Sequence, residues 1–291
     1  MTTAAVSARP LAEGLRPGEP GLLVLKIGGS LVSDKGRDGD LDTAAVADFA
    51  AQVADLAAAF PGRLVLVAGG GSLGHGATRG LDEDDPHAVL GLTRATFAVK
   101  WAWTTALRAC GVPALPVQVA ALCAEYEHGV EAETATVGRL LEKRVLPVLS
   151  GDCLLTPSGG LRIFGSDHVP GILVREAWAP VRIVTLTDVP GVLADRPGGA
   201  AVLDRVDPDD PGPAYALVWE TAPWDTSDAM RGKLDALVAH ARRGAECVIA
   251  RGDRAARDLR HLFSPMDEWP PDLPRTLISP PAGSRPAQHS G

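Results

Sequence analysis

The sequence predicts an α/β protein, a three-layer αβα sandwich around a mostly parallel central sheet. Two observations carry this. Short, wholly apolar runs alternate with stretches of ten or more residues in helical pattern, as expected of parallel strands joined by crossover helices and covered on both faces. Several of those runs also end in glycine-rich segments, which places close-approach loops at the carboxyl ends of the strands, where such sheets bind ligands.

Taken in order, Gly21–Ile27 is an apolar run that feeds Gly28-Gly29-Ser30, a buried strand followed by a loop. Asp42 caps a helix whose apolar positions are Val46, Phe49, Val53, Leu56 and Phe60, and Pro61-Gly62 stops it. Leu64–Ala68 is a second buried strand, ending in Gly69-Gly70-Gly71. A long helix runs from about Leu90 to Cys110 and closes on Gly111. Leu115–Val119 and Val145–Leu149 read as strands with a helix, Glu133–Arg144, between them. Cys153–Ile163 reads as a hairpin around Pro157–Gly160. Asp167 is placed to cap a helix starting near Pro170. Val181–Leu186 is a strand, Ser227–Arg243 a helix and Glu246–Ala250 the last strand. Residues 1–20, rich in Ala, Pro and Gly, read as a disordered leader, and the proline-rich end from about Pro265 as a tail.

Composition narrows the function. The 291 residues are 46% hydrophobic, enough for one large domain or two close lobes. A net charge of −8 argues against a nucleic-acid partner. No apolar run is long enough to span a membrane, and no secretory signal opens the chain. Cys110, Cys123, Cys153 and Cys247 form no C-x-x-C pair and read as reduced core thiols of a cytoplasmic protein. Of 28 Lys and Arg residues only five are Lys, at positions 26, 35, 100, 143 and 233. A chain this biased towards Arg keeps Lys mainly where a compact point charge is needed.

Six segments suit anion chemistry. Lys26-Ile27-Gly28-Gly29-Ser30 puts an ammonium and glycine N–H groups at the end of the first strand. Gly69-Gly70-Gly71-Ser72-Leu73-Gly74-His75-Gly76 does the same after the second, with Ser72 and His75 as further donors. Its G-x-G-x-x-G spacing lacks the acidic residue a dinucleotide site needs about 20 positions on, so an anion cradle is the better reading. Ser150-Gly151-Asp152 and Gly165-Ser166-Asp167 each offer a carboxylate to orient lysines. Thr185-Leu186-Thr187-Asp188 ends a strand, and Ser227–Lys233 opens a helix whose amino end favours anions.

Together, Lys26-x-Gly-Gly-Ser, the Gly69–Gly71 segment, Thr187-Asp188-x-x-Gly191-Val192 and Met230-x-x-Lys233 resemble the amino acid kinase superfamily. His75 after the glycines is similar to the branch with phosphate or phosphonate acceptors, the isopentenyl phosphate and fosfomycin kinases. Gly91–Lys100, Ser166–Pro170, Trp224–Met230 and Lys233–Cys247 look most like the fosfomycin resistance kinases, and the similarity runs over about residues 22–275.

The resemblance implies an amino acid kinase fold, with an acceptor-side lobe over about 21–178, a nucleotide-side lobe over about 179–275 and a tail over 276–291. It implies ATP and Mg2+ as cofactors, a small phosphonate or phosphate as substrate, and a homodimer formed through the sheet edge or the long helix. Lys26 and Lys233 would hold the γ-phosphoryl group, Lys35 would assist, and Asp167 would organise the lysines. Gly28, Gly29, Gly70 and Gly71 would supply N–H donors, His75 would bind the acceptor phosphonate, and Ser30, Gly151 and Ser166 would complete the acceptor side. Thr187, Asp188, Gly191, Ser227 and Met230 would line the nucleotide site. Pro190 and Asp228 depart from the family's usual residues there. Beside fosfomycin phosphorylation stand two alternatives: a kinase of isopentenyl phosphate or another phosphonate, and a nucleotide-binding regulator without turnover.

Overall fold

The computed structural model describes residues 14–33, 39–79, 85, 87–195, 201–218, 228–254 and 258–279. β1 (Leu22–Ile27), α1 (Thr43–Ala59), β2 (Leu64–Ala68), α2 (Gly71–Thr78), α3 (Leu90–Ala109) and β3 (Ala114–Pro116) open the chain. A hairpin, β4 (Cys123–Tyr126) with β5 (Gly129–Ala132), then leads through α4 (Ala135–Glu142) to β6 (Leu146–Ser150) and a second hairpin, β7 (Asp152–Leu155) with β8 (Leu161–Phe164). β9 (Val181–Thr187), β10 (Arg205–Val206), α5 (Gly212–Tyr215), α6 (Asp228–Arg242), β11 (Glu246–Arg251) and β12 (Arg275–Ile278) follow.

The eight-stranded sheet has the order β10-β12-β11-β9-β1-β2-β6-β3. It is parallel except where β12 meets β11. Every residue of β1, β2, β6 and β9 is buried, because helices cover both faces. Leu22 and Val24 of β1 pack with Val137 and Leu141 of α4 and Leu234, Leu237 and Val238 of α6. Leu23, Leu25 and Ile27 pack with Phe49 and Val53 of α1 and Val99 and Trp103 of α3. The period-two alternation of β1 thus builds both cores and confirms three layers. Asp42 caps α1 as expected, its Oδ1 accepting from the Ala45 N–H at 2.9 Å.

Several expectations are corrected. Residues 14–20 belong to the body, not to a leader: Arg182 donates to the Gly18 carbonyl at 2.7 Å, and Arg16 pairs with Glu268 at 3.0 Å. β11 is not the last strand, since β12 lies beyond it and carries the sheet past residue 275. The glycine segment after Gly70 is helix α2, not an extended loop. The β4–β5 hairpin was not foreseen. Asp167 caps nothing: the 3-10 turn Val169–Leu173 begins after His168 without a side-chain cap. No helix among the described residues is long and apolar enough to cross a membrane.

Candidate active site

The last turn of β1 places Lys26 on the face covered by α4 and α6, in register with Val67 and Thr185 of the flanking strands. The chain then leaves the sheet through Gly28, whose N–H donates to the Leu186 carbonyl at 2.8 Å. Gly29 and the start of α2 press backbone on backbone. A Cβ on Gly29 would lie 2.3 Å from the Gly71 nitrogen, and one on Gly69 equally close to the Gly29 nitrogen, so side chains are excluded. Gly71 has φ +54 and faces Ser33, whose hydroxyl donates to the Gly29 carbonyl at 2.8 Å and accepts the Ser72 N–H at 3.1 Å. Ser72 is therefore a structural brace, not a ligand donor; its own hydroxyl binds the Asp40 carbonyl at 2.8 Å. Ser30 sits in the 3-10 turn Gly29–Leu31.

Lys26 is only 2% exposed, and its Nζ pairs with Oδ1 of Asp167 in the turn after β8. The Asp167 side chain keeps 26% of its surface open. Burial pushes the Lys26 ammonium down to about 8, against the pull of Asp167 and with the repulsion of Lys233. Asp167 is held below the usual carboxylate range: burial opposes ionisation, but Lys26, Lys233 and His168 outweigh it. One carboxylate thus lies in the field of two lysines, one on β1 and one on α6, which leaves net positive charge among these three side chains. The Thr185 hydroxyl, buried on the strand beside Lys26, has no hydrogen-bond partner among the described residues. A group of this composition suits an incoming phosphate.

Gly151 packs against the same turn. A Cβ there would stand 2.9 Å from the Ser166 nitrogen and 3.0 Å from the Phe164 carbonyl, so this glycine lets the Asp167 turn close on β6. Thr187 ends β9 with its hydroxyl on the Asp188 carboxylate at 3.0 Å. Gly191 is wedged against Thr276 of β12, and Met230 on α6 packs on the adjacent core. His75 is exposed on α2, which packs on α3. Lys35 and Ser227 lie outside the described residues.

Of the two candidate carboxylates only Asp167 meets a lysine directly. Asp152 is buried elsewhere and saturated. Thr93 donates to it at 3.0 Å, Gln118 at 2.5 Å, and the N–H groups of Ala120 and Cys153 at 2.9 and 3.0 Å. Gln118 also accepts from Lys100 Nζ at 2.9 Å. Sequence reasoning missed this network, although the rarity of lysine marks Lys100. It also missed His240, whose Nε2 lies 2.9 Å from the main-chain oxygen of Asp167.

The sequence pattern of the Amino acid kinase family matches residues 21–251, most of the chain. The chain belongs to that family. It is a phosphotransferase of the amino acid kinase family with isopentenyl phosphate kinases among its relatives. The enzyme of Methanothermobacter thermautotrophicus is 28% identical over 247 residues, covering 78% of this chain and 90% of its own. That of Haloferax volcanii is 34% identical over 179 residues, covering 59% and 71%. Among solved structures, the product complex of T. acidophilum isopentenyl phosphate kinase superposes with a TM-score of 0.65 at 20% identity, over 88% of this chain and 99% of that one. This likeness shows the fold.

Proposed function

We propose that this kinase transfers the γ-phosphoryl group of ATP to a phosphonate oxygen of fosfomycin, giving fosfomycin monophosphate and ADP. The observation that supports a small, polar acceptor is the inward face of α3. Thr96, Lys100 and Thr104 are buried there, Thr93 donates to Asp152, and Lys100 reaches that carboxylate through the Gln118 amide. An isoprenoid tail lodged against that helix would meet a charged, hydrogen-bonded wall instead of an apolar pocket.

In this reading Lys26 and Lys233 hold the phosphoryl group from two sides and Asp167 keeps them apart. Lys35 and Ser227 add contacts at the phosphates. Gly28, Gly29, Gly70 and Gly71 offer main-chain N–H groups. His75, with Ser30, Gly151 and Ser166, receives the acceptor. Thr187, Asp188, Gly191 and Met230 flank the nucleotide. Mg2+ would arrive with ATP and would offset part of the phosphate charge during transfer. Each close pair of like unit charges near 4 Å costs on the order of 4 kcal/mol at an effective dielectric of 20, so two anions meet only where cations offset that cost. The acceptor oxygen is already ionised, so no general base is required. One of its lone pairs forms the new P–O bond as the bond to the β-phosphate bridging oxygen breaks and ADP departs.

The second reading, isopentenyl phosphate as acceptor, draws its support from the relatives above. A coupled ADP-release assay with Mg-ATP on both acceptors, followed by phosphorus NMR, separates them. Fosfomycin turnover with a new phosphonate–phosphate anhydride signal is expected. Turnover on isopentenyl phosphate alone transfers the assignment to the second reading, and ATP binding without turnover on either favours a regulator. The same proposal includes a cytoplasmic location and a homodimer. Leu90, Phe97 and Trp101 form an apolar stripe on the outer face of α3, beside edge strand β3 with its exposed Leu115. The Phe97 and Trp101 rings stack at 6.2 Å.

A further inference from the structure

His240 lies on α6 seven residues after Lys233, two turns along the same face of the helix. Its neighbours on the buried side, Leu234, Leu237, Val238 and Ala241, are apolar, yet the imidazole is itself only 4% exposed. A main-chain carbonyl only accepts, so the contact to Asp167 at 2.9 Å means that Nε2 carries the proton. Burial, reinforced by His168 and Arg243, depresses the imidazole to about 4 despite the Asp167 carbonyl and carboxylate, so the ring is neutral at physiological pH. Gly171, in the 3-10 turn after Asp167, clamps the ring. A Cβ there would stand 2.5 Å from Cε1 and 2.6 Å from Nδ1. The bond spans 73 positions of sequence and ties the helix carrying Lys233 to the turn carrying Asp167.

We infer that His240 is a positioning residue for phosphoryl transfer: by latching α6 to the Asp167 turn it fixes the spacing of Lys26, Asp167 and Lys233. The inference rests on the kinase reading of that site. It takes the main-chain oxygen of Asp167 and leaves the carboxylate to Lys26, so orientation and charge are served by different atoms of one residue. A leucine would fill the same space with no polar group to bury; what it would lack is the directional bond.

The test compares His240→Leu, His240→Gln and His240→Asn, since a glutamine amide reaches about as far as Nε2 and an asparagine amide stops short. Loss of alignment is expected to lower kcat roughly 30-fold in the leucine and asparagine variants with acceptor KM within about threefold of wild type, glutamine restoring most of it. A second readout needs no turnover. The carbon NMR titration midpoint of Lys26 should rise from about 8 towards the ordinary lysine value as water enters in the leucine and asparagine variants, and hold in the glutamine variant. An unchanged midpoint and kcat in the leucine variant overturn the latch, as does equal loss in the glutamine and asparagine variants. Wild-type inactivity on every acceptor would count against the kinase reading, and the midpoint would then decide the latch.

Discussion

Lys26 and Lys100 are both buried, both pushed down to about 8 by burial, and both partly compensated by one aspartate. Their wiring differs. Lys26 meets Asp167 directly, and that carboxylate keeps an open side and lies in the field of a second lysine. Lys100 reaches Asp152 only through the Gln118 amide, and Asp152 already accepts four hydrogen bonds. Burial alone therefore does not mark a working lysine. Spare acceptor capacity and net positive charge do, because an incoming anion has something to displace.

The largest effect that sharpens this contrast comes from removing each ammonium. Lys26→Met is expected to lower kcat by about a thousandfold or more, through the loss of charge stabilisation at the transferring group. Lys100→Met is expected to cost about 1–3 kcal/mol of stability in urea melts and leave kcat within roughly tenfold, because a buried amide loses its donor. Equal kinetic loss in the two would break the comparison.

The pH profile comes next. Lys26 loses its proton above about 8, so kcat/KM should fall about tenfold per pH unit beyond that point as the cation disappears. The alkaline limb should persist in Lys100→Met and vanish in the weakly active Lys26→Arg, whose guanidinium stays charged. His75→Ala should raise acceptor KM about tenfold with little change in kcat, since an exposed side chain contributes binding and no transition-state charge. The smallest kinetic effect is expected of Trp101→Glu: it should convert a dimer to monomer in light scattering while turnover stays within about threefold.

The parallel core was legible because its strands are uniformly apolar and its helices keep a clear 3.6-residue period. α2 was not. Three glycines in Gly71–Thr78 argue against a helix on propensity, and it is held instead by the Ser33–Ser72 brace and by packing on α3. β12 was hidden because its pairing partners, Cys247–Ala250 and Arg205–Val206, lie far away in sequence. Within the site the glycine-flanked Lys26 was visible from motif alone. Sequence left Asp152 and Asp167 undivided until the motif's resemblance favoured the second, because the Lys26–Asp167 contact spans 141 positions. His240 and Gln118 gave no signal, since the partner of His240 is a main-chain oxygen that any residue would supply, and Gln118 meets Asp152 across 34 positions of sequence.

With five lysines in the whole chain, lysine side-chain NMR resolves the central claim directly. Carbon spectra recorded with and without a non-hydrolysable Mg-ATP analogue should show the Lys26 and Lys233 signals shifting and the Lys26 midpoint rising as phosphate replaces part of the Asp167 contact, while Lys100 holds its shift. A Lys26 signal indifferent to the nucleotide, or a Lys100 signal that moves as far, would contradict the assignment of Lys26, Asp167 and Lys233 as the phosphoryl-transfer site.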